Sequence, residues 1–378
     1  MADYSSDKNT IDRQAERYVR FIREAVRRES VYRVPAHAGI SVKLNQNECP
    51  FDVPVPVKHL LIQRFADAKW NRYPTEFSDD LRRVLAESLS VDPDCIILGN
   101  GSNELAQFLG HSLIRRGRSV IVLDPMFSLF KKVVRLCEGV PVGVPCEADY
   151  STDPRRIVDA ARAADADLVI LATPNNPTGQ AIAVNELGDI AGQVDGLVLI
   201  DEAYHEFVPG PSALSLLDSH QNVIVMRTFS KTVGLAGLRL GYLVAAKPIV
   251  TELLKARLPF MVDRLTEIVA EYLIQHPEIV KERVKVLTTE RDRMLGALRQ
   301  MPGVEVVPSS TNFLIFRTPV DAGRLEQALA DRGVLVRDVS GYKELPGFVR
   351  VNAGLPDENK AFLSALNDVL FSAGEEVR

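Results

Sequence analysis

The 378-residue chain carries 45 basic and 50 acidic side chains, a formal charge of −5, which argues against a nucleic-acid-binding or anionic-membrane surface. Its 23 glycines and 22 prolines are ordinary usage and exclude collagen-like or low-complexity chains. At roughly 100–200 residues per domain, the length predicts two domains.

From Thr10, a candidate N-cap, Ile11, Ala15, Tyr18, Val19, Ile22 and Val26 fall on one helical face, and arginines cover the other. That spacing predicts a single packed helix near the N-terminus. From Leu81 onward, short runs of Val, Ile and Leu lie at 95–98, 119–123, 140–144, 168–171, 197–200, 223–226 and 240–244. They mostly lack polar alternation, as strands buried on both faces do. Helix-length segments such as 104–115 and 154–164 separate several of them, the βαβ signature of a mostly parallel sheet. After residue 265 come a long helical stretch (265–300), strands at 304–307 and 312–317, a helix at 322–332, and strands at 334–336 and 348–351. The expected organisation is an N-terminal arm and helix (1–45) belonging to the small domain or a dimer contact, a large α/β domain (46–265) and a smaller α+β domain (266–378).

Cys49, Cys95, Cys137 and Cys146 form no CxxC pair, the pattern of a reduced, cytoplasmic protein. The six histidines are scattered and no HExxH occurs, so no metal site is expected. No apolar run approaches the ~20 residues of a membrane span, and the N-terminus has no signal-peptide core.

In an open α/β sheet, ligands bind beyond the carboxyl ends of the strands, so the residues after each apolar run carry the chemistry. After residue 98 comes Gly99-Asn100-Gly101-Ser102-Asn103-Glu104 and then a helix, a candidate anion cradle or an ordinary glycine-rich turn. After residue 171, Thr173-Pro174-Asn175-Asn176-Pro177-Thr178-Gly179 stiffens a turn and offers the Asn176 amide. After residue 200, Asp201-Glu202-Ala203-Tyr204 puts a carboxylate where burial is costly without a cationic partner. After residue 226, Arg227-Thr228-Phe229-Ser230-Lys231 and then Gly237-Leu238-Arg239 supply an amine and a guanidinium. A lysine among apolar residues and glycines is a candidate for a depressed pKa and nucleophilic work. An amine, a carboxylate, amide and hydroxyl donors, and an anion cradle are together what a phosphorylated pyridine aldehyde needs.

In order along the chain, Lys43-Leu44-Asn45-Gln46-Asn47-Glu48-Cys49-Pro50, Arg72-Tyr73-Pro74, the glycine-rich loop, the Asn175 turn, Asp201 to Tyr204, Ser230-Lys231, Gly237-Leu238-Arg239, Val336-Arg337-Asp338 and Val349-Arg350-Val351 form a motif series. Over residues 30–370 this series resembles the pyridoxal-phosphate-dependent aminotransferases of the aspartate aminotransferase fold (class I/II), most like the histidinol-phosphate subfamily. The resemblance implies an α/β transferase fold with a mostly parallel seven-stranded sheet and a smaller α+β domain. It implies a ping-pong Schiff-base transamination between histidinol phosphate and 2-oxoglutarate (imidazole acetol phosphate and glutamate in reverse), in a cytoplasmic homodimer with shared sites. Lys231, Asp201 and Tyr204 become the implied catalytic residues. Gly101, Ser102, Asn103, Phe127, Asn176, Thr228, Ser230 and Arg239, with Tyr73 from the other subunit, complete the cofactor set. Arg337, Arg350 and Asn47 are the implied substrate contacts.

Three positions depart from the pattern. Phe127 stands where a tyrosine usually stacks on the cofactor ring, and Phe260 replaces a tyrosine that reaches the neighbouring subunit's substrate. Cys49 stands where asparagine or tyrosine is common. The loss of the Phe260 hydroxyl keeps open an aromatic aminotransferase, and a phosphothreonine decarboxylase of the same fold would use the same cofactor residues. A regulator that kept the fold without catalysis would have lost Lys231 or Asp201, and both are present.

Overall fold

The structure, a computed structural model, describes residues 15–31 and 38–376. After a short strand β1 (Val42–Lys43), the seven apolar runs form strands β2 (Ile96–Gly99), β3 (Ser119–Asp124), β4 (Val140–Pro145), β5 (Leu168–Ala172), β6 (Leu197–Asp201), β7 (Val223–Thr228) and β8 (Gly241–Ala245). They make one sheet in the order β2-β8-β7-β6-β5-β3-β4. Neighbours from β4 to β7 are parallel, whereas β8 runs antiparallel to both β7 and β2. Every residue of β5, β7 and β8 is buried, which explains the unbroken apolar runs. Edge strand β4 is largely exposed and carries Pro141 and Pro145, residues that cannot donate to a further strand.

Helices Ser102–Leu113, Leu129–Leu136, Pro154–Ala163 and Val184–Ala191 send Leu105, Leu109, Phe130, Val134, Ile157 and Ile190 into one core with the strands. A second cluster forms where helices Val55–Ala66, Asp79–Leu89 and Arg264–Gln275 bury Leu61, Leu81, Leu85 and Ala270 against Ile96 and Val244.

The C-terminal part is built on a four-stranded antiparallel sheet of β9 (Glu305–Val307), β10 (Phe313–Arg317), β12 (Arg337–Asp338) and β13 (Phe348–Asn352), in the order β12-β13-β10-β9. Helices Pro277–Arg299, Ala322–Ala330 and Pro356–Glu376 accompany it, and Leu287, Phe313, Phe316, Phe362 and Leu366 share its core. Strand β11 (Val334–Leu335) pairs in parallel with β1, so the N-terminal segment joins this body. Among the described residues no helix is long and apolar enough to cross a membrane.

Three expectations need correction. Among the described residues the single N-terminal helix is broken: residues 15–16 are helical, a 3₁₀ turn follows at Val19–Phe21 and a short helix at Glu24–Arg27, with extended backbone at Ile22 before it. Thr10 and Ile11 lie outside the described residues. Tyr18, Val19, Ile22 and Val26 are exposed rather than packed. Arginines at 17, 20, 23, 27 and 28 crowd neighbouring turns with like charge, which opposes a continuous helix. The stretch 265–300 is two helices, because Pro277 cannot continue the first and instead opens the second. The run 334–336 is shorter than expected: Val334 and Leu335 form β11 on β1, and the strand that joins β13, β12, begins only at Arg337.

Candidate active site

A cavity of about 610 Å³ opens beyond the carboxyl ends of β5, β6 and β7 and is roofed by residues of β12 and β13. Its floor begins with Asp201, the last residue of β6, whose carboxylate accepts the Ala203 N–H at 3.1 Å. Burial pushes the Asp201 pKa up to about 7, against the pull of the Ala203 N–H and of the Lys231 charge. The adjacent carboxylate of Glu202 is neutralised from behind: Arg227 Nε and Nη2 donate to its Oε2 at 2.9 and 2.8 Å.

Strand β7 ends at Thr228, and the loop 229–240 that turns back into β8 carries Lys231 and Arg239. Lys231 Nζ donates to the Gln46 carbonyl at 3.0 Å and lies 5.8 Å from the centre of the Tyr204 ring. Burial, reinforced by the positive Arg350, lowers its pKa to about 8. The amine is therefore neutral in roughly a tenth of molecules at pH 7, far more than for an ordinary lysine.

The Tyr204 hydroxyl accepts the Asn47 side-chain N–H at 2.9 Å, and its ring meets Phe313 edge-on at 5.3 Å. Burial raises its pKa to about 12, so it stays a proton donor. Asn47, in the left-handed region at φ 54°, is pinned by the Asn352 side-chain oxygen and by the Asn312 amide. The side-chain oxygens of Asn45 and Asn47, both on the cavity wall, are buried without a partner in the chain.

At the anion cradle, the helix Ser102–Leu113 starts immediately after Gly101, which has φ 80°. A Cβ there would lie 2.4 Å from Arg239 Nη2, so only glycine lets the guanidinium reach the helix end. Gly241, at the start of β8, approaches as closely: its Cβ would sit 2.6 Å from the Ser102 nitrogen. Arg239 Nη1 donates to the Ala236 carbonyl and, at 3.4 Å, to the Ser230 hydroxyl, which also receives the Thr228 hydroxyl at 3.0 Å. Unpaired helical N–H groups, two hydroxyls and a guanidinium converge as an anion site requires.

The half-buried Phe127 forms a wall of the cavity, and the Asn175 amide ties it down through the Pro125 carbonyl at 2.9 Å. Asn176 gives its side-chain oxygen to Arg350 Nη1 at 2.5 Å, which leaves its NH₂ as the group it can offer a ligand. Arg350 Nη2 donates to the Asn45 carbonyl at 2.9 Å. Arg337 and Arg350 are direct cross-strand partners, and both line the cavity. Like charges placed opposite one another are unfavourable unless an anion joins them. The Arg337 guanidinium has no hydrogen-bond or carboxylate partner among the described residues.

Of the expected residues, Gly101 and Tyr73 are not in the lining of this cavity; Gly101 sits just behind it at the helix start, whereas Tyr73 is remote. It is 81% exposed and stacks on Phe260 at 4.5 Å, on the outer surface. Sequence reasoning missed Gln46, whose carbonyl holds Lys231, and Tyr342, which lines the roof. Gln46 lies inside the quoted asparagine-rich segment, whereas Tyr342 carried no signal.

The residues present fit a phosphorylated pyridine aldehyde: the cradle excludes any Cβ, the wall carries orphaned buried amide oxygens, and an amine and a carboxylate share the floor. Fold and site together define an α/β enzyme of the cofactor-dependent transferase type. Residues 40–366 match the family model of aminotransferase class I and II, and the chain belongs to that family, whose members work with pyridoxal phosphate. It is 38% identical to a histidinol-phosphate aminotransferase of Chlorobium phaeovibrioides over 92% of this chain and 96% of that protein. The crystal structure of histidinol-phosphate aminotransferase from Sinorhizobium meliloti in complex with pyridoxal-5'-phosphate superposes with a TM-score of 0.82, at 26% identity, over 93% of this chain and 97% of the other. An L-threonine-O-3-phosphate decarboxylase from Porphyromonas gingivalis superposes at 0.77, with 25% identity, over 87% of this chain and 99% of the other.

Proposed function

We propose that this aminotransferase moves an amino group between histidinol phosphate and 2-oxoglutarate. The observation that carries the reading is the cross-strand pair of Arg337 and Arg350 in the same cavity as Lys231. One substrate ends in a phosphate and the other in a carboxylate, and a guanidinium pairs with either anion in bidentate fashion.

Bound pyridoxal phosphate supplies a carbonyl that takes up the amine and a ring that withdraws electrons. Lys231 would hold the cofactor through its amine and is placed to take the proton from the substrate Cα; its lowered pKa favours the free amine such a base needs. Asp201 would hold the pyridine nitrogen and keep it protonated, a positive partner there favouring the ionised carboxylate. Asn176 and Tyr204 would donate to the ring oxygen, Tyr204 being oriented by Asn47. Gly101, Ser102, Asn103, Thr228, Ser230 and Arg239 would hold the phosphate, and Phe127 would cover the ring.

The same reading makes the protein a cytoplasmic homodimer. Its four cysteines are free, and the exposed Tyr73–Phe260 pair faces outward as a residue reaching a second copy's site would. An arm (1–45), a cofactor body (46–265) and a closing body (266–378) form part of the proposal. Helix Arg264–Gln275 packs with the cofactor body, so a cut at His276 separates the cores more cleanly.

A half-reaction screen of the purified protein against histidinol phosphate, glutamate and aromatic amino acids, read from the cofactor's absorbance, tests the proposal. Conversion by histidinol phosphate and glutamate is expected. Carbon dioxide release from an amino acid phosphate, without transamination, would overturn it in favour of the decarboxylase.

A further inference from the structure

Directly behind the glycine-rich loop, outside the cavity lining, lies a bidentate ion pair between a buried guanidinium and a partly exposed carboxylate, the Glu104 side chain being 25% exposed. Arg257, whose side chain is 3% exposed, donates through Nη1 to Glu104 Oε1 at 2.5 Å and through Nη2 to Oε2 at 2.9 Å. Its Nη2 also donates to the Leu98 carbonyl at 2.9 Å, and the guanidinium lies 4.9 Å from the Phe108 ring. Glu104 is the third residue of helix Ser102–Leu113, and its Oε2 accepts the Asn100 N–H at 3.1 Å. One carboxylate therefore braces the loop on one side and meets a fixed guanidinium on the other.

A carboxylate in the first turn uses the same positive helix end that a bound phosphate uses. Two anions held within one turn repel each other, and the repulsion grows as water is excluded. The fork of Arg257 matches both carboxylate oxygens and cancels that charge while leaving the loop braced. Phe108 and the Leu98 carbonyl fix the guanidinium, so the cancellation does not depend on a mobile surface lysine.

We propose that Arg257 is a positioning residue for the cofactor phosphate: it neutralises Glu104 and holds the 99–102 loop so that a dianion can sit at the helix N-terminus. The proposal rests on the reading of this loop as the phosphate cradle. It makes the ion pair matter for the phosphate of the cofactor and not for its ring.

The test is the dissociation constant of the full-length apo-protein for pyridoxal phosphate and for pyridoxal, which lacks the phosphate, measured by absorbance titration. The parent should strongly prefer pyridoxal phosphate; absence of that preference would refute the cradle itself rather than the role of Arg257. Arg257→Gln should lose about tenfold or more of the preference, with pyridoxal affinity unchanged. Adding Glu104→Gln should restore most of it, because the unpaired charge is then gone. Equal weakening of both ligands, or a double variant no better than the single, would overturn the proposal. If Arg257→Gln does not fold, Glu104→Gln alone decides: the preference should be at least that of the parent, and a tenfold fall would contradict charge cancellation.

Discussion

The floor and the roof of the cavity are built differently. The floor is the end of a sheet whose central strands are wholly buried, and its charged groups, Asp201 and Lys231, have pKa values moved toward neutrality by burial. The roof is a short two-strand contact, β12 on β13, that presents two half-buried arginines face to face, more exposed than the floor's buried Asp201. Chemistry common to a family suits the rigid, dry floor, where a proton can be held or moved at low cost. Selection of the substrate suits the wetter roof, where charge and reach can change without disturbing the core. Replacing Lys231 or Asp201 in the floor should therefore impair reaction with every substrate, whereas replacing Arg337 in the roof should discriminate between substrates.

The largest effect is expected for Lys231→Ala. Turnover should fall by about 10⁴-fold or more with both substrates, and borohydride should no longer fix the cofactor to the protein. Residual turnover near the parent's would remove the floor's central group. Asp201→Asn should cost about 10²- to 10⁴-fold in kcat, again with both substrates. It also has a signature in the apo-protein. With a folded pKa near 7 against an ordinary 3.8, folded Asp201 keeps a proton across that window which the unfolded chain has released. Stability is thus full below the ordinary value and declines as pH rises toward 7. The apo Asp201→Asn variant should melt above the parent at pH 8, and the gap should close toward pH 4. An equal gap at both pH values would contradict the burial of the charge.

Much of the floor was legible in the sequence because buried strands advertise themselves as apolar runs and the residue after each run is forced to the ligand side. Asp201, Lys231 and the glycine-rich loop were found that way. The roof was less legible. Arg337 and Arg350 are thirteen residues apart, and only the antiparallel register of β12 and β13 sets them opposite. The pins on Asn47 come from Asn312 and Asn352, contacts between segments about 300 residues apart that no local pattern encodes. Pro277 was a readable helix breaker that the long helical periodicity concealed. Helix Pro356–Glu376 went unread although Pro356, Asp357 and Glu358 form an ordinary start signal. At the N-terminus, apolar spacing alone suggested a packed helix where charge crowding prevented one.

Roof substitutions should have intermediate effects. Arg350→Ala should lower kcat/KM about 10- to 100-fold in both half-reactions, since it removes a charge-assisted contact that either anion uses. Arg337→Ala should weaken histidinol phosphate by a similar factor and glutamate by less. Equal losses for the two substrates in Arg337→Ala would erase the distinction between floor and roof. The smallest effect belongs to Asn176→Ala, which should chiefly shift the absorbance titration of the bound cofactor, by about one pH unit, with a modest loss of rate.

The ratio of kcat/KM for histidinol phosphate to that for phenylalanine, in the parent and in Arg337→Ala, tests the division of labour most directly. The expected result is a clear preference for histidinol phosphate in the parent that collapses by about tenfold or more in the variant, while phenylalanine turnover changes little. Phenylalanine or tyrosine favoured by the parent, with histidinol phosphate inert, would contradict the account.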